Sequence, residues 1–173
     1  YSFNQTAGFS ILKFEGNYTS GAKVAHGLGV APELILIKAL EDVANWGVFY
    51  KPLGNTKSYK LNSTAAPVDS TAYWNDTDPD SVNFTLGDNT DVNPNSKDAI
   101  AYCFASIPGY SKVDSYIGNG NINGTFVYTG FRPAYVTVRE HAAGEYWYTS
   151  DSKRLGYNNK NHHSYLNDPG AEG

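Results

Sequence analysis

Residues 34–40 (LILIKAL) predict a β-strand that is apolar on both of its faces. Ile35 and Ile37 form one face, and the leucines beside them make the other face apolar as well. A strand that is buried on both faces normally lies in the middle of its sheet, so this one is predicted to be central. Residues 134–140 (AYVTVRE) predict a matching strand with the period-2 alternation of half-buried β-structure.

These two strands belong to an internal repeat. Trp46 recurs as Trp147, an offset of 101 residues, and residues 34–38 recur at the same offset as residues 135–139. Gly8-Phe9-Ser10 returns as Gly109-Tyr110-Ser111, and Leu53-Gly54 returns as Leu155-Gly156 after a small insertion. At the N-terminus, residues 1–3 (YSF) precede residues 102–104 (YCF) by the same 101 positions. A period this long matches a small β domain and exceeds the roughly 20–50 residues of a solenoid repeat.

The repeat predicts two domains. Residues 1–108 form a first β unit, in which residues 1–7 are the last strand of a preceding unit, and residues 109–173 form a second, incomplete unit that packs with the first. The chain then resembles a window cut from a tandem array. The alternative is a single domain whose two halves arose by duplication.

The remaining apolar stretches predict further strands separated by Gly- and Asn-rich turns. They lie at Phe9–Phe14, Trp46–Lys51, Val82–Leu86, Asp98–Phe104, Tyr110–Tyr116 and Glu145–Thr149. No stretch of twelve residues or more carries a helical period. The predicted fold is all-β, an antiparallel β-sandwich or jelly roll, with an internal duplication of about 101 residues.

Charge and composition exclude several classes of function. The net charge is −4, and no basic patch of the kind that binds nucleic acid is present. No apolar run reaches the roughly 18–20 residues of a membrane span, so membrane insertion is not expected. The lone Cys103 lies in an apolar run, which predicts a small buried residue that forms no disulfide within the chain.

One loop carries the candidate ligand-binding residues, Trp74, Asn75, Asp76 and Asp78. In many lectins an aromatic ring stacks on the apolar face of a sugar while nearby Asn and Asp side chains bind its hydroxyls. The alternative is a Trp that packs the loop onto the sandwich. The two interpretations differ in whether Trp74 is exposed.

The same loop is a weak candidate for Ca²⁺, through Asp76, Asp78 and Asp80. It departs from an EF-hand, because Ser81 and Gly87 occupy the glycine position and the bidentate acid position. Dense Asp, Asn and Pro are also ordinary turn chemistry. No other metal and no cofactor is expected.

Catalytic residues are not predicted. The histidines at positions 26, 141, 162 and 163 show no metal-ligand spacing with a partner and are predicted to lie on the surface. No pattern links a Ser or Cys nucleophile to a His. Trp46 and Trp147 hold equivalent places in the repeat, which favours a shared structural role over contact with a ligand.

Six segments together resemble an uncharacterised repeat domain of marine phage tail-fibre-like proteins, often found beside SPRY or laminin-G/concanavalin-like modules. They are residues 6–11 (TAGFSI), 26–32 (HGLGVAP), 73–77 (YWNDT), 84–87 (FTLG), 100–105 (IAYCFA) and 126–133 (FVYTGFRP). The resemblance covers nearly the whole chain. It departs from the family at residues 13–15 (KFE), where relatives tend to have a Thr-Tyr-Thr-like run.

The resemblance implies a virion location, on an appendage that faces the outside of the particle, and a structural or host-recognition role without catalytic residues. The first hypothesis is therefore a structural and adhesive module of a phage tail fibre. Its partners would be other copies of itself, in a homo-oligomer such as a trimer, and other virion proteins. The second is a carbohydrate-binding module that reads host-surface glycans. The third, a polysaccharide depolymerase, needs two carboxylates roughly 5–10 Å apart in a groove.

Overall fold

The strand at the centre of the molecule is the one predicted from residues 34–40. The computed structural model describes residues 1–141, 144–153 and 163–168. Its strands are β1 (Ser2–Asn4), β2 (Phe9–Glu15), β3 (Ala22–Ala25), β4 (Leu34–Ala39), β5 (Trp46–Tyr50), β6 (Lys57–Lys60), β7 (Val68–Asp69), β8 (Asn83–Leu86), β9 (Asp98–Phe104), β10 (Tyr135–Val138), β11 (Tyr148–Asp151) and β12 (Ser164–Tyr165). One helical turn, α1 (Thr71–Trp74), and a 3₁₀ turn at Lys51–Leu53 complete the described elements.

Seven strands form one antiparallel sheet in the order β1-β2-β9-β4-β5-β6-β7. β4 lies between β9 and β5, so the predicted central position is confirmed. Two smaller antiparallel sheets pair β3 with β8 and join β10, β11 and β12. The all-β fold predicted from the sequence is therefore confirmed. Among the described residues, no helix is long and apolar enough to cross a membrane.

The core lies on one face of the large sheet. Ile35 and Ile37 point into it and are fully buried, as their alternation predicted. The neighbouring strand β9 contributes only small side chains to this face, those of Ala99, Ala101 and Cys103, all fully buried. Phe84 of β8 and Trp74 of α1 belong to the same buried cluster. The β3–β8 pair and α1 are thus the second layer of a sandwich.

α1 and β8 are joined by a close approach of their backbones. The Gly87 N–H donates to the Tyr73 carbonyl at 2.9 Å. A Cβ atom at position 87 would overlap the carbonyl oxygen of Ala72, so only glycine fits there. This contact places α1, and the loop after it, against the end of the core.

The three-stranded sheet has the same strand pairing as the middle of the large one. Leu34 pairs with Tyr50 in β4–β5, and Tyr135 pairs with Asp151 in β10–β11, each partner displaced by 101 residues. Two hydrogen bonds of each sheet correspond as well. The Lys51 N–H donates to the Glu33 carbonyl in the large sheet, and the Ser152 N–H donates to the Ala134 carbonyl in the small one, both at 2.8 Å. The N–H groups of the two tryptophans donate to asparagine side chains, Trp46 to Asn62 at 3.0 Å and Trp147 to Asn167 at 2.9 Å. The duplication and the boundary between residues 108 and 109 stay predictions.

A cluster around Arg139 holds the three-stranded sheet against the large one. The Arg139 guanidinium lies 4.7 Å from the ring centre of Tyr59 and 5.1 Å from that of Trp147. It also donates to the carbonyl of Ser63 at 2.8 Å. Tyr59 in turn forms a 2.8 Å hydrogen bond with the His141 ring. Cationic, aromatic and polar contacts therefore converge on one point between the two sheets.

Both repeated tryptophans pack against tyrosines. Trp46 lies tilted on Tyr102 at 6.1 Å between ring centres, and Trp147 lies edge-on to Tyr59 at 5.5 Å. Their common position in the repeat thus coincides with a common kind of packing contact.

Two predicted strands differ from the structure. Residues 110–116 form no strand, and Ser111 makes only an isolated bridge to Ile107. Their counterpart β2 pairs with β1 on one side and β9 on the other, whereas residues 112–116 pair with no described strand. The strand predicted at Glu145–Thr149 begins three residues later, at Tyr148, where pairing with β10 starts. The repeat match at Leu155-Gly156, the histidine at 162 and the last five residues of the second unit lie outside the described residues.

Arg139→Ala is expected to loosen the three-stranded sheet, because it removes the guanidinium from both rings and from the backbone carbonyls of the 63–65 loop. The free energy of unfolding should fall by about 2–3 kcal/mol in a denaturant titration. Arg132→Ala is the control, because Arg132 is exposed and its loss should cost less than about 0.5 kcal/mol. Equal losses for the two variants would contradict the assigned role of Arg139.

Candidate functional site

The tryptophan of the candidate loop lies in the core. Trp74 is 1% exposed, and its ring packs edge-to-face on Phe49 at 5.6 Å. A ring in this position offers no face to a sugar. The proposed stacking role of Trp74 is therefore wrong, and the alternative of a Trp that packs its loop onto the sandwich describes the structure. Burial prevailed because α1 packs against β6 and β8, so its apolar side chain fills the space beside Phe49 of β5.

Two successive residues after Trp74 turn the chain outward. Asn75 and Asp76 have φ values of 51° and 45°, in the left-handed region that Asn and Asp tolerate better than other residues with a Cβ. The Asn75 N–H closes α1 by donating to the Thr71 carbonyl at 2.8 Å. Asn75 is half-buried by this role, and Asp76 is exposed. These residues shape the loop and present Asp78 to solvent.

The third aspartate of the loop is a turn residue. The Asp80 carboxylate accepts the backbone N–H groups of Val82 and Asn83, both at 2.7 Å. These hydrogen bonds lower the pKa of Asp80 below its ordinary value. In the part of the chain that the structure describes, no three His, Cys, Asp or Glu side chains come close enough to hold a metal ion. The calcium hypothesis for Asp76, Asp78 and Asp80 therefore has no assembled ligand set.

Asp78 lines an open groove of about 480 Å³, here called the Asp78 groove. Its other walls include Pro32, Phe49, Lys51, Asn55 and Pro79. Asp78, Lys51 and Asn55 thus contribute polar side chains beside an apolar floor of proline and aromatic carbon, and the Lys51 ammonium also pairs with Glu33 at 2.9 Å. This mixture can bind hydroxyl groups while an apolar surface contacts C–H groups. The Trp74 ring packs against Phe49, which lines the groove, whereas Trp74 itself is not among the lining residues.

The sequence did not predict Lys51 and Asn55 as site residues. Lys51 begins the 3₁₀ turn Lys51–Leu53, which contains Pro52, and Asn55 follows its C-cap residue Gly54, whose φ is 88°. The Pro-Leu-Gly run of that turn was the available signal for a fixed loop, but only the fold brings it beside Asp78. Of the four predicted ligand-binding residues, only Asp78 lines the groove.

A second groove, the Glu33 groove, shares Lys51 with the first and contains two acids, Glu33 and Asp114. Partial burial would raise the pKa of Glu33, but hydrogen bonds from Ser106 and Lys51 bring it below its ordinary value. The Ser115 N–H and Lys112 likewise lower the pKa of Asp114. Glycoside hydrolysis needs one carboxyl that keeps its proton near neutral pH. Neither carboxyl in this groove meets that requirement.

His26 is a buried residue that anchors the loop, which corrects its predicted surface position. The ring is 0% exposed, with Nε2 at 3.0 Å from the Asp80 carbonyl. Its Nδ1 accepts the Leu28 N–H at 3.2 Å, so Nε2 carries the proton and donates to Asp80. Burial lowers the pKa of His26 from its ordinary 6.5, despite the opposing effect of Asp80. The neutral ring therefore ties residues 26–28 to the end of the Asp78 loop.

Comparison with known proteins yields one family. A model described as a domain of unknown function, DUF7483, matches residues 1–173. No curated protein and no solved structure matches the chain.

The buried His26 predicts a pH dependence of stability. Below about pH 6.5 the unfolded chain takes up a proton that the folded His26 resists, so the free energy of unfolding should fall between pH 7 and pH 5. His26→Gln, which stays neutral, should flatten this slope in denaturant titrations. Val48→Ala, at a buried position of β5, is the control, because it keeps His26 and should lower the free energy of unfolding at every pH without changing the slope. An unchanged slope in His26→Gln would show that His26 is not the responsible group.

Proposed function

The chain belongs to the DUF7483 family, and for this member we propose a structural and adhesive role in an extracellular appendage such as a phage tail fibre. The observation that supports it best is the interlocking of two sheets with equivalent register through Arg139, Tyr59 and Trp147. A unit that docks on its neighbour through fixed contacts suits a stiff array of repeated domains. The virion location comes from the family resemblance seen in the sequence.

The chemistry of the described residues supports a role without catalysis. Cys103 is fully buried, and burial raises the pKa of its thiol to about 12, which leaves it protonated and unreactive. The Asp78 groove has one acid among its described lining residues, and both acids of the Glu33 groove have lowered pKa values. We therefore do not propose a depolymerase, and the module is taken to act by packing and binding.

Imaging the assembly that carries this chain tests the proposal. An antibody raised against the purified domain, with a gold label, should mark an appendage on the outside of intact particles in electron micrographs. The label should be lost when the antibody is first incubated with free domain. Label inside disrupted particles alone, or in the soluble fraction without particles, would overturn the proposed location.

Carbohydrate binding in the Asp78 groove is the second candidate function. Asp78 and Lys51 place opposite charges beside the Asn55 amide over the apolar floor. Vicinal hydroxyls of a sugar can donate to the carboxylate and accept from the ammonium and the amide. This candidate moves the predicted glycan contact from Trp74 to Asp78 and residues of the turn after β5. It is compatible with the structural role, since host recognition is one task of an appendage.

Asp78→Asn is expected to weaken glycan binding about tenfold, because a charge-assisted hydrogen bond is replaced by a neutral one. A glycan array would identify the ligand, and calorimetry with that glycan would measure the affinity. The matched control is Asp76→Asn, an exposed aspartate of the same loop outside the groove lining, which should bind as the parent does. Absence of binding on the array, or equal affinities for the two variants, would remove this candidate.

A further inference from the structure

The outer edge of β10 is a row of backbone groups that no strand among the described residues covers. Among the described residues β10 pairs with β11 alone. The Ser152 N–H donates to the Ala134 carbonyl, so Ala134 faces β11, and by alternation Tyr135 and Thr137 direct their N–H and C=O groups away from it. No lysine, proline or glycine interrupts residues 135–138 (YVTV). Edges of this kind pair readily with other strands.

β1 presents a second edge, at the far side of the large sheet. It pairs with β2 alone among the described strands. The Gly16 N–H donates to Lys97, so the even-numbered residues of β2 face β9 and its odd-numbered residues face β1. Phe9 and Ile11 then bond to Asn4 and Ser2. The N–H and C=O groups of Phe3, which lies between them, point away from the sheet.

The chain already contains a template for joining these two edges. β4 pairs with β9 so that Leu34 is opposite Phe104 and Ile35 is opposite Cys103. β10 lies 101 residues after β4, and residues 1–3 (YSF) lie 101 residues before residues 102–104 (YCF). The same pairing places Tyr135 opposite Phe3, Val136 opposite Ser2 and Thr137 opposite Tyr1. In this register Phe3 and Tyr135 form a hydrogen-bonded pair, and both have outward-facing backbone groups.

The side chains at these positions favour the same contact. Phe3 is 51% exposed and Tyr135 is 58% exposed, although both are large aromatic residues. Aromatic residues directly opposite each other across two strands contribute roughly 0.2–1 kcal/mol beyond an alanine pair. Neither strand carries a charged residue that would be buried by the pairing. Only three or four residues pair on each side, so the association is expected to be weak.

We propose that the free edge of β10 binds the β1 strand of a second copy of this chain, antiparallel and in the register of β4 on β9. The contact joins two different surfaces, so it is heterologous and adds copies head to tail without closing at a dimer. This inference deepens the structural role proposed above by naming the partner and the contact. It does not depend on the virion location, which the imaging experiment tests separately.

Disulfide trapping between two single-substitution variants tests the register. Ser2→Cys and Val136→Cys, mixed in equal amounts under mild oxidation, place thiols at a directly opposed pair within reach of a disulfide. We expect about tenfold more mixed dimer than from Ser2→Cys with Thr137→Cys, whose residues point to opposite faces. Fully buried Cys103 is common to all three variants and does not distinguish them. Equal yields from the two mixtures would overturn the proposed register.

Sedimentation of the parent chain tests the association itself. The average mass should rise with concentration across the micromolar to millimolar range, without a plateau at the dimer. Thr137→Pro removes an outward N–H from β10 while leaving the N–H groups that bond to β11, and it should suppress the rise. Thr137→Val keeps that N–H and should associate like the parent. A parent chain that stays monomeric throughout, or a Thr137→Pro variant that associates equally, would overturn the proposal.

If disulfide trapping fails while the antibody labels an appendage of the particle, only the proposed head-to-tail contact is overturned. If trapping succeeds and the label lies elsewhere, the contact stands and the proposed location is lost.

Discussion

Every strand in this molecule depends on a neighbour that satisfies its backbone N–H and C=O groups. β4 has β9 on one side and β5 on the other, and it carries two fully buried residues of the core, Ile35 and Ile37. Residues 110–116 are predicted by the repeat to correspond to β2, yet they form no strand, and they pair with no described strand beyond the isolated bridge of Ser111 to Ile107. Hydrophobic pattern alone does not make a strand; the pattern must meet a partner.

The packing on the paired strands also explains how the core holds the loop of the candidate site in place. β9 fills the middle of the sheet with Ala99, Ala101 and Cys103, whose small side chains leave room for large residues from the opposite layer. Phe84 belongs to the same buried cluster, and Trp74 extends that cluster beside Phe49 of β5. The loop that follows Trp74 is consequently held at one end by an anchored ring and at the other by the Asp80–His26 contact. A rigidly held loop can present Asp78 to a ligand at little cost in conformational entropy.

The Arg139 contacts between the two sheets and the Asp78 groove serve different purposes. The Arg139 guanidinium lies over the rings of Tyr59 and Trp147 and donates hydrogen bonds to the 63–65 loop, so its charge serves to hold the two sheets together. Lys38 lies at the same place in the repeat and donates to the Ala44 carbonyl at 2.9 Å within its own hairpin. Lys38 lies opposite Trp46, and Arg139 lies over Trp147, so both positions hold a cation near a tryptophan. Only Arg139 uses its charge to contact the other sheet. The Asp78 groove is lined by residues outside the three-stranded sheet and involves none of these residues.

The sequence by itself determined the fold class, the central strand, and the bounds of β9, because alternation and apolar runs are local properties that a strand expresses wherever it pairs. It also identified the positions whose pairing recurs at 101 residues, from Trp46 and Trp147 to the strands beside them. Tertiary structure alone decided that Trp74 and His26 are buried, that Asp80 caps a turn, and that Lys51 and Asn55 meet Asp78. Burial and convergence depend on which segments pack together across the sheet, and the local sequence carries no record of distances between residues far apart in the chain.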